Sequence, residues 1–395
     1  MATCHLAALG MVNALGVDRA TILRRLLAGD NQSIVADEVA GTTFHVARAG
    51  ARPGSAANSR QGLNRLNALL SVACDQIRPT VDAAKARWGA GRIAVVIGST
   101  DNGSEESKAA LAVFLKDGAF PPAYGLDQQE ADLPARHVAD TLGLRSVSLA
   151  ISTACTSSAS ALVYARNLID LGVCDAVVAG GADIVSDSVL LGFHSLEAVD
   201  LERCKPFSAN RRGINLGEGA ALFLVSREAL GDAGLCLAGS GETADAHHMT
   251  APAPDGQGAI RAMRAALEEG GLAPGAIDYI NLHGTGTPLN DAMESIATHA
   301  VFGPGLPCSS TKALVGHTLG AAGAMELGFC WLLMSPGLNP DRRLPPQVWD
   351  GVFDPAVPAI GLVRPGQAVA RLDSCMSNSY AFGGCNVSLV IRRVP

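Results

Sequence analysis

Ser146-Val147-Ser148-Leu149-Ala150-Ile151-Ser152-Thr153-Ala154-Cys155-Thr156-Ser157-Ser158 carries an aliphatic strand, Ser146 to Ser152, through a thiol in a Thr/Ser cluster into an Ala/Leu-rich helix running to about Leu171. Pro307 to Thr311 leads in the same way through His317 into a helix to about Met334. The likeness extends outward from these two segments. Arg92-Ile93-Ala94-Val95-Val96-Ile97-Gly98 reads as a strand entering a glycine turn, and Ile277-Asp278-Tyr279-Ile280-Asn281-Leu282-His283-Gly284 reads the same way. Asp175 to Gly181 with Gly219 to Val225 gives one late strand pair, and Arg371 to Met376 with Asn386 to Ile391 gives the other. Strand, loop, helix and strand, met twice, predict an α/β fold of two related halves with parallel-rich sheets covered by helices. Residues 1–240 form the half that carries Cys155, and residues 241–395 the half that carries His283 and His317.

Composition narrows the function classes. With 395 residues, 48% apolar and 17% charged, the chain has enough apolar material for one large or two modest cores. A net charge of −7 provides no general field for nucleic acid. The N-terminus lacks the positive segment of a secretory signal, and Leu6 to Val17 reads as a first strand and turn, so a cytoplasmic protein is expected. The longest apolar stretch, Leu319 to Met334, is shorter than a bilayer requires and contains Glu326, which predicts a buried helix and no membrane span. Ten cysteines without a CxxC pair fit free thiols in a reducing compartment.

Most cysteines only fill core space. Cys155 differs because it opens a helix, whose unpaired amides and dipole favour thiolate and can face an oxyanion. Thioester exchange needs both: a nucleophile ionised enough at neutral pH and donors aimed at a tetrahedral oxygen. In His283-Gly284-Thr285-Gly286-Thr287 the glycines allow a tight turn, and two hydroxyls are placed to contact an extended amide-bearing ligand. His317, in Gly316-His317-Thr318-Leu319-Gly320-Ala321-Ala322-Gly323, has small neighbours that let its ring point into a cavity. Two neutral imidazoles can each donate an N–H to a thioester oxygen as decarboxylation turns it into an enolate. No metal is required for this, and the two histidines, 34 positions apart, lack zinc-site spacing. Lys312 is read as orienting the site and keeping His317 unprotonated by like-charge repulsion, with Glu294 as its counter-charge.

These contexts, in this order, resemble the β-ketoacyl-acyl carrier protein synthases, the elongating condensing enzymes of type II fatty acid and polyketide pathways, over nearly the whole chain. The resemblance implies the thiolase-like fold: two pseudo-repeated α/β halves in five αβαβα layers, with the active site where the halves meet. It implies 3-oxoacyl-acyl carrier protein synthesis, with Cys155 taking the acyl chain and His283 and His317 acting on a malonyl thioester. Thr285 and Thr287 would contact the phosphopantetheine arm, and Asp245-Ala246-His247-His248-Met249-Thr250 matches a loop beside that arm, pointing to Thr250. Substrates would bring the phosphopantetheine, and no other cofactor is implied. Within Asn378-Ser379-Tyr380-Ala381-Phe382-Gly383-Gly384-Cys385-Asn386, Phe382 matches a residue that gates the acyl pocket and lends its N–H to the oxyanion hole.

The family's carrier protein is acidic, so a local basic patch is expected despite the net charge, with Arg60, Arg65, Arg211 and Arg212 as its members. Two stretches depart from housekeeping elongation enzymes. Ser195 to Phe207 is short, Ser99 to Glu106 is unusually polar, and with the opening Ala8 to Gly16 they are similar to ketosynthases of polyene pathways such as aryl polyenes. Two other readings stay open. A thiolase acting on acyl-CoA would need a second cysteine, Cys375 or Cys385, and a ketosynthase/chain-length-factor heterodimer would use this chain as one subunit. Homodimer and heterodimer are not distinguished by the sequence.

Overall fold

The aliphatic runs lie side by side in one large sheet of a computed structural model that describes residues 3–50, 64–101, 103–231 and 234–394. The first repeat contains β1 (Cys4–Val12), α1 (Arg19–Ala28), β2 (Ile34–Val39), β3 (Thr42–Ala47), α2 (Arg65–Trp88), β4 (Ile93–Gly98), α3 (Ser104–Asp117) and α4 (Leu133–Leu142). It continues with β5 (Ser148–Ile151), α5 (Ser157–Asp170), β6 (Ala176–Asp183), α6 (Asp187–Ser195), β7 (Leu216–Gly217) and β8 (Gly219–Ser226). The second begins with β9 (Leu235–Ala244), α7 (Gln257–Glu269), β10 (Tyr279–Leu282), α8 (Pro288–Phe302), β11 (Pro307–Ser310) and α9 (Lys312–Val315). It ends with α10 (Ala322–Leu333), β12 (Gly361–Leu362), β13 (Ser374–Tyr380) and β14 (Cys385–Arg393).

The sheet runs β12-β11-β10-β13-β14-β9-β1-β8-β6-β4-β5. Read from each outer side, β5-β4-β6-β8-β1 matches β11-β10-β13-β14-β9, strand for strand and direction for direction. The two blocks join where β1 meets β9 at Cys4 and His5. The sheet is mixed rather than parallel-rich: β4, β5 and β6 are parallel, as are β10, β11 and β13, but β8 and β14 return antiparallel beside them. The short turn between β13 and β14 permits only an antiparallel pair, because a parallel return needs a crossover. The division at 240/241 falls inside β9, since the chain passes between the repeats after Ser226 and before Leu235.

Helices cover the sheet in layers. In α2, Leu66, Leu69, Leu70, Ala73 and Ile77 recur at helical spacing and bury one face against β1 and β8. Its start is capped by the Asn64 side chain, which accepts from Asn67 N. On the other side of the molecule α7 packs on β9 and β14. Between the two sheet blocks lie α5 and α10, giving the five αβαβα layers. Every residue of α10 is buried, which accounts for an apolar stretch with no water-facing side, and among the described residues no helix is long and apolar enough to cross a membrane. The two central helices cross closely, and a Cβ placed at Gly323 would lie 2.6 Å from Ala159 Cβ. Ser158 Oγ accepts from Ala324 N at 2.9 Å and ties them together. The segment before each helix carries a reactive side chain, Cys155 before α5 and His317 before α10.

Candidate active site

The turn before α5 is held in an unusual shape. Ala154 adopts a left-handed φ of 51°, a conformation costing a non-glycine residue about 1–3 kcal/mol. Local hydroxyls hold it: Ser157 Oγ accepts from Thr153 N at 2.9 Å and donates to Ala154 O at 2.6 Å, while Thr156 Oγ1 donates to Thr153 O at 2.7 Å. The Thr/Ser cluster thereby presents Cys155 toward the seam between the halves. There His317 Nε2 lies 3.0 Å from Cys155 Sγ. The sulfur and a ring nitrogen from each of His283 and His317 lie within 4.8 Å of one another. The two imidazole rings stand edge to face, with centroids 5.3 Å apart and planes at 85°.

Each histidine is fixed through its backbone as well as its ring. His283 follows β10, and its N–H and that of Gly284 donate to the two Glu294 oxygens at 2.8 and 2.7 Å. Asp291, one turn earlier in α8, accepts from Gly286 N, so one helix face holds the whole glycine loop. His317 N donates to Asn215 O at 2.7 Å, and His317 O accepts from Gly217 N at 3.0 Å, seating the histidine against β7. Lys312, 1% exposed, donates to the His283 carbonyl and sits 3.3 Å from His283 Nδ1. An ammonium can only donate, so Nδ1 accepts and His283 carries its proton on Nε2. The ion-pair partner of Lys312 is Glu326 of α10, not Glu294 as the sequence led us to expect. Glu294 is occupied by backbone amides, a use that leaves no trace in side-chain spacing.

Burial dominates the electrostatics. It drives both imidazoles well below their usual range, and the Lys312 charge pushes the same way, so both are neutral. Burial pushes the Cys155 thiol up to about 12, although Lys312 and the Phe382 amide act in the opposite sense. That direction runs against the expectation of a nucleophile ionised enough at neutral pH. A helix N-terminus contributes about 0.3–1 kcal/mol, less than one pKa unit, and Cys155 stands two residues before the first helical position. The polar partner of the thiol across the seam is His317 Nε2, 3.0 Å away.

A cavity of about 360 Å³ opens over this trio. Phe193, Leu196, Ile214 and Phe382 contribute apolar wall, and Thr250, Thr285 and Thr287 line it as well. The Thr285 and Thr287 hydroxyls are 2.9 Å apart. The Phe382 ring lies against Phe193 with centroids at 5.7 Å. Neither Cys375, buried in β13, nor Cys385 lines the cavity. The arginines divide. Arg60 lies outside the described residues. Arg65 pairs with buried Glu218 and donates to Ala49 O, and Arg211, with a side chain only 7% exposed, pairs with Asp354 at 2.6 Å. Arg211 thus braces the fold where the sequence reading gave it a carrier-facing role, whereas Arg212 is exposed.

Two carboxylates of the site escaped the sequence reading. Glu326 is the single charge in the apolar stretch Leu319 to Met334, and a lone charge in a buried helix signals a buried partner. Asp183 ends the aliphatic strand β6 and is wholly buried, which is the same kind of signal.

Residues 67–230 match the family described as Beta-ketoacyl synthase, N-terminal domain, and residues 235–343 match Beta-ketoacyl synthase, C-terminal domain. A mitochondrial 3-oxoacyl-[acyl-carrier-protein] synthase of Arabidopsis thaliana is 35% identical over 286 residues, which are 67% of this chain and 60% of that protein's length. The 3-oxoacyl-[acyl-carrier-protein] synthase 2 of Staphylococcus aureus strain COL is 32% identical over 77% of this chain and 76% of its own. Among solved structures, a chain of the complex of the ketosynthase ApeO with its chain length factor ApeC from Xenorhabdus doucetiae superposes with a TM-score of 0.93. It is 40% identical, covering 99% of this chain and 98% of that one.

Proposed function

The chain belongs to the β-ketoacyl synthase family, and from that premise we propose that it is a 3-oxoacyl-acyl carrier protein synthase that condenses an acyl group held on Cys155 with a malonyl carrier thioester. The observation that carries the proposal is the buried trio: Cys155 Sγ 3.0 Å from His317 Nε2, with His283 held by Lys312 beside them. The Cys155 sulfur attacks the acyl thioester carbonyl as its proton passes to the departing pantetheine thiol. The carrier leaves and the acyl-Cys155 thioester remains. The malonyl carrier then enters the same cavity, its C–C bond to the carboxylate breaks, CO₂ departs, and the electron pair flows to the thioester oxygen. N–H donors from His283 and His317 stabilise that enolate oxygen. The nucleophilic carbon attacks the acyl carbonyl, whose oxygen faces the Cys155 and Phe382 amides, and collapse breaks the bond to sulfur, releasing a 3-oxoacyl carrier two carbons longer and a Cys155 thiolate that takes up one proton from solvent to become the thiol again.

The trio acts through proton donation and nucleophilic attack rather than as a metal cage. The Lys312 ammonium beside His283 would repel a second cation at that position. The likeness to the ApeO complex supports a chain-length-factor-like partner subunit. The apolar wall from Phe193 to Phe382 suits an extended apolar acyl chain, and a polyene or polyketide chain is the acyl donor we propose. We place the activity in the cytoplasm, with an acidic acyl carrier protein as partner and no cofactor of its own. Intact-mass spectrometry after incubation with a panel of acyl carriers tests the proposal. A gain of one acyl group, absent in Cys155→Ala, is expected; condensation surviving in that variant refutes it.

A further inference from the structure

Asp183 is the last residue of β6, 0% exposed, and among the described residues it forms no ion pair. Instead its carboxylate is filled by neutral donors from two loops. From the loop after β4 come Ser99 Oγ at 3.0 Å, Thr100 N at 3.0 and 3.1 Å, Thr100 Oγ1 at 2.7 Å and Asp101 N at 3.0 Å. From the segment that carries His317 comes Gly320 N at 2.6 Å. A buried charge is kept without a counter-ion only where such donors satisfy it.

The Gly320 bond lies at a strained place. Leu319, two residues after His317, adopts a left-handed φ of 49° while buried, and such backbone persists only where its surroundings hold it. Gly320 itself has no room for a side chain, since a Cβ there would lie 2.7 Å from Asp183 Oδ2 and 3.1 Å from Ser99. His317 is fixed on its N-terminal side by β7, through Asn215 O and Gly217 N, and on its C-terminal side the charged contact is that of Asp183.

Resting on the synthase reading above, we propose that Asp183 is a positioning residue: it pins the strained Leu319–Gly320 turn to the loop after β4 and so holds His317 within reach of Cys155. Asp183→Asn keeps the shape but turns an amide donor toward N–H and O–H donors. Gly320→Ala leaves the carboxylate intact and displaces the turn from the other side. Misplacement of a catalytic group by about 1 Å costs on the order of 10²-fold in rate, so both variants should lower kcat for malonyl decarboxylation and condensation by about that factor. KM for the malonyl carrier should stay near that of the parent, because the threonines lining the cavity are untouched.

Histidine-selective ¹⁵N spectra, with His317 identified by its loss in His317→Asn, give a readout that needs no substrate. Movement of the His317 ring resonances in both variants, with those of His283 unchanged, is the expected result. A purely structural role would lower thermal stability and leave the His317 resonance of the folded protein in place. An unmoved resonance in both variants, with kcat per folded site equal to the parent, overturns the proposal. The spectra decide on Asp183 separately from the acylation assay, whose failure in the parent would count against the synthase reading instead.

Discussion

Replacing Lys312 with Met keeps the aliphatic stem in its buried slot and deletes only the ammonium. In the parent that ammonium lies 3.3 Å from His283 Nδ1 and fixes the ring proton on Nε2, facing the cavity. Without it Nδ1 has no donor to accept from, and an imidazole protonated there would present a bare lone pair to the enolate oxygen. Loss of one such donor costs about 10²–10³-fold in kcat, and a wrong imidazole tautomer in a catalytic triad costs up to about 10⁴-fold. Malonyl decarboxylation should therefore fall by about 10²–10³-fold. Acylation of Cys155 should persist, because its partner is His317 at 3.0 Å. The structural cost is bounded. Orphaning one member of a buried pair costs about 3–5 kcal/mol when the other stays charged. Glu326, however, already has its carboxyl pushed up to about 7 by burial, with Lys312 as the main opposing influence, so in the variant it takes up a proton. CO₂ release from malonyl carrier, measured near pH 6.5 alongside intact-mass acylation, separates the two steps. Undiminished CO₂ release with normal acylation would refute the tautomer assignment.

Three further expectations follow from the burial of the site. The Glu294 carboxyl is raised from 4.5 to about 8, so the native state holds a proton that the unfolded chain has released; the stability this gives is full below pH 4.5 and is lost as pH rises through about 8. Thermal melts from pH 5 to 8.5 should show the margin of the parent over Glu294→Gln shrinking as pH rises, a comparison in which the contributions of His283, His317 and Glu326 cancel. With the Cys155 thiol pushed up to about 12, the rate of its alkylation by iodoacetamide should keep climbing through pH 9, and a plateau near neutrality would reveal a thiolate–imidazolium pair instead. Arg211→Ala should lower the melting temperature by unpairing Asp354, whereas Arg212→Ala should leave it unchanged and raise KM for the acyl carrier, with no change in KM counting against a carrier-facing role.

The sequence was most legible where chemistry and backbone coincide. Cys155, His283 and His317 each stand at the end of an aliphatic strand or the start of a helix, and local patterning locates such junctions without knowledge of what packs across from them. The strands of each repeat could be placed for the same reason, since their two-sided burial leaves continuous apolar runs. Pairings between distant segments were not legible. Glu294 and Glu326 are both glutamates within 18 residues of Lys312, and only the packing of α8 and α10 decides that one caps amides while the other pairs with the ammonium. Arg211 matched a basic position in the family, yet Asp354, 143 residues away, claims it. The state of the Cys155 thiol depended on total desolvation, which no local motif records.

Two things hang on β14 at once. It lies between β13 and β9 in the interior of the sheet, and β9 in turn borders β1, so pairing along β14 holds the strands of the second repeat together up to the seam with the first. The turn between β13 and β14 carries Phe382, whose ring lies against Phe193 of the first repeat. A local opening of β14 would therefore unpair both neighbouring strands and free the Phe382 wall in the same event, which ties the cohesion of the sheet to the shape of the cavity.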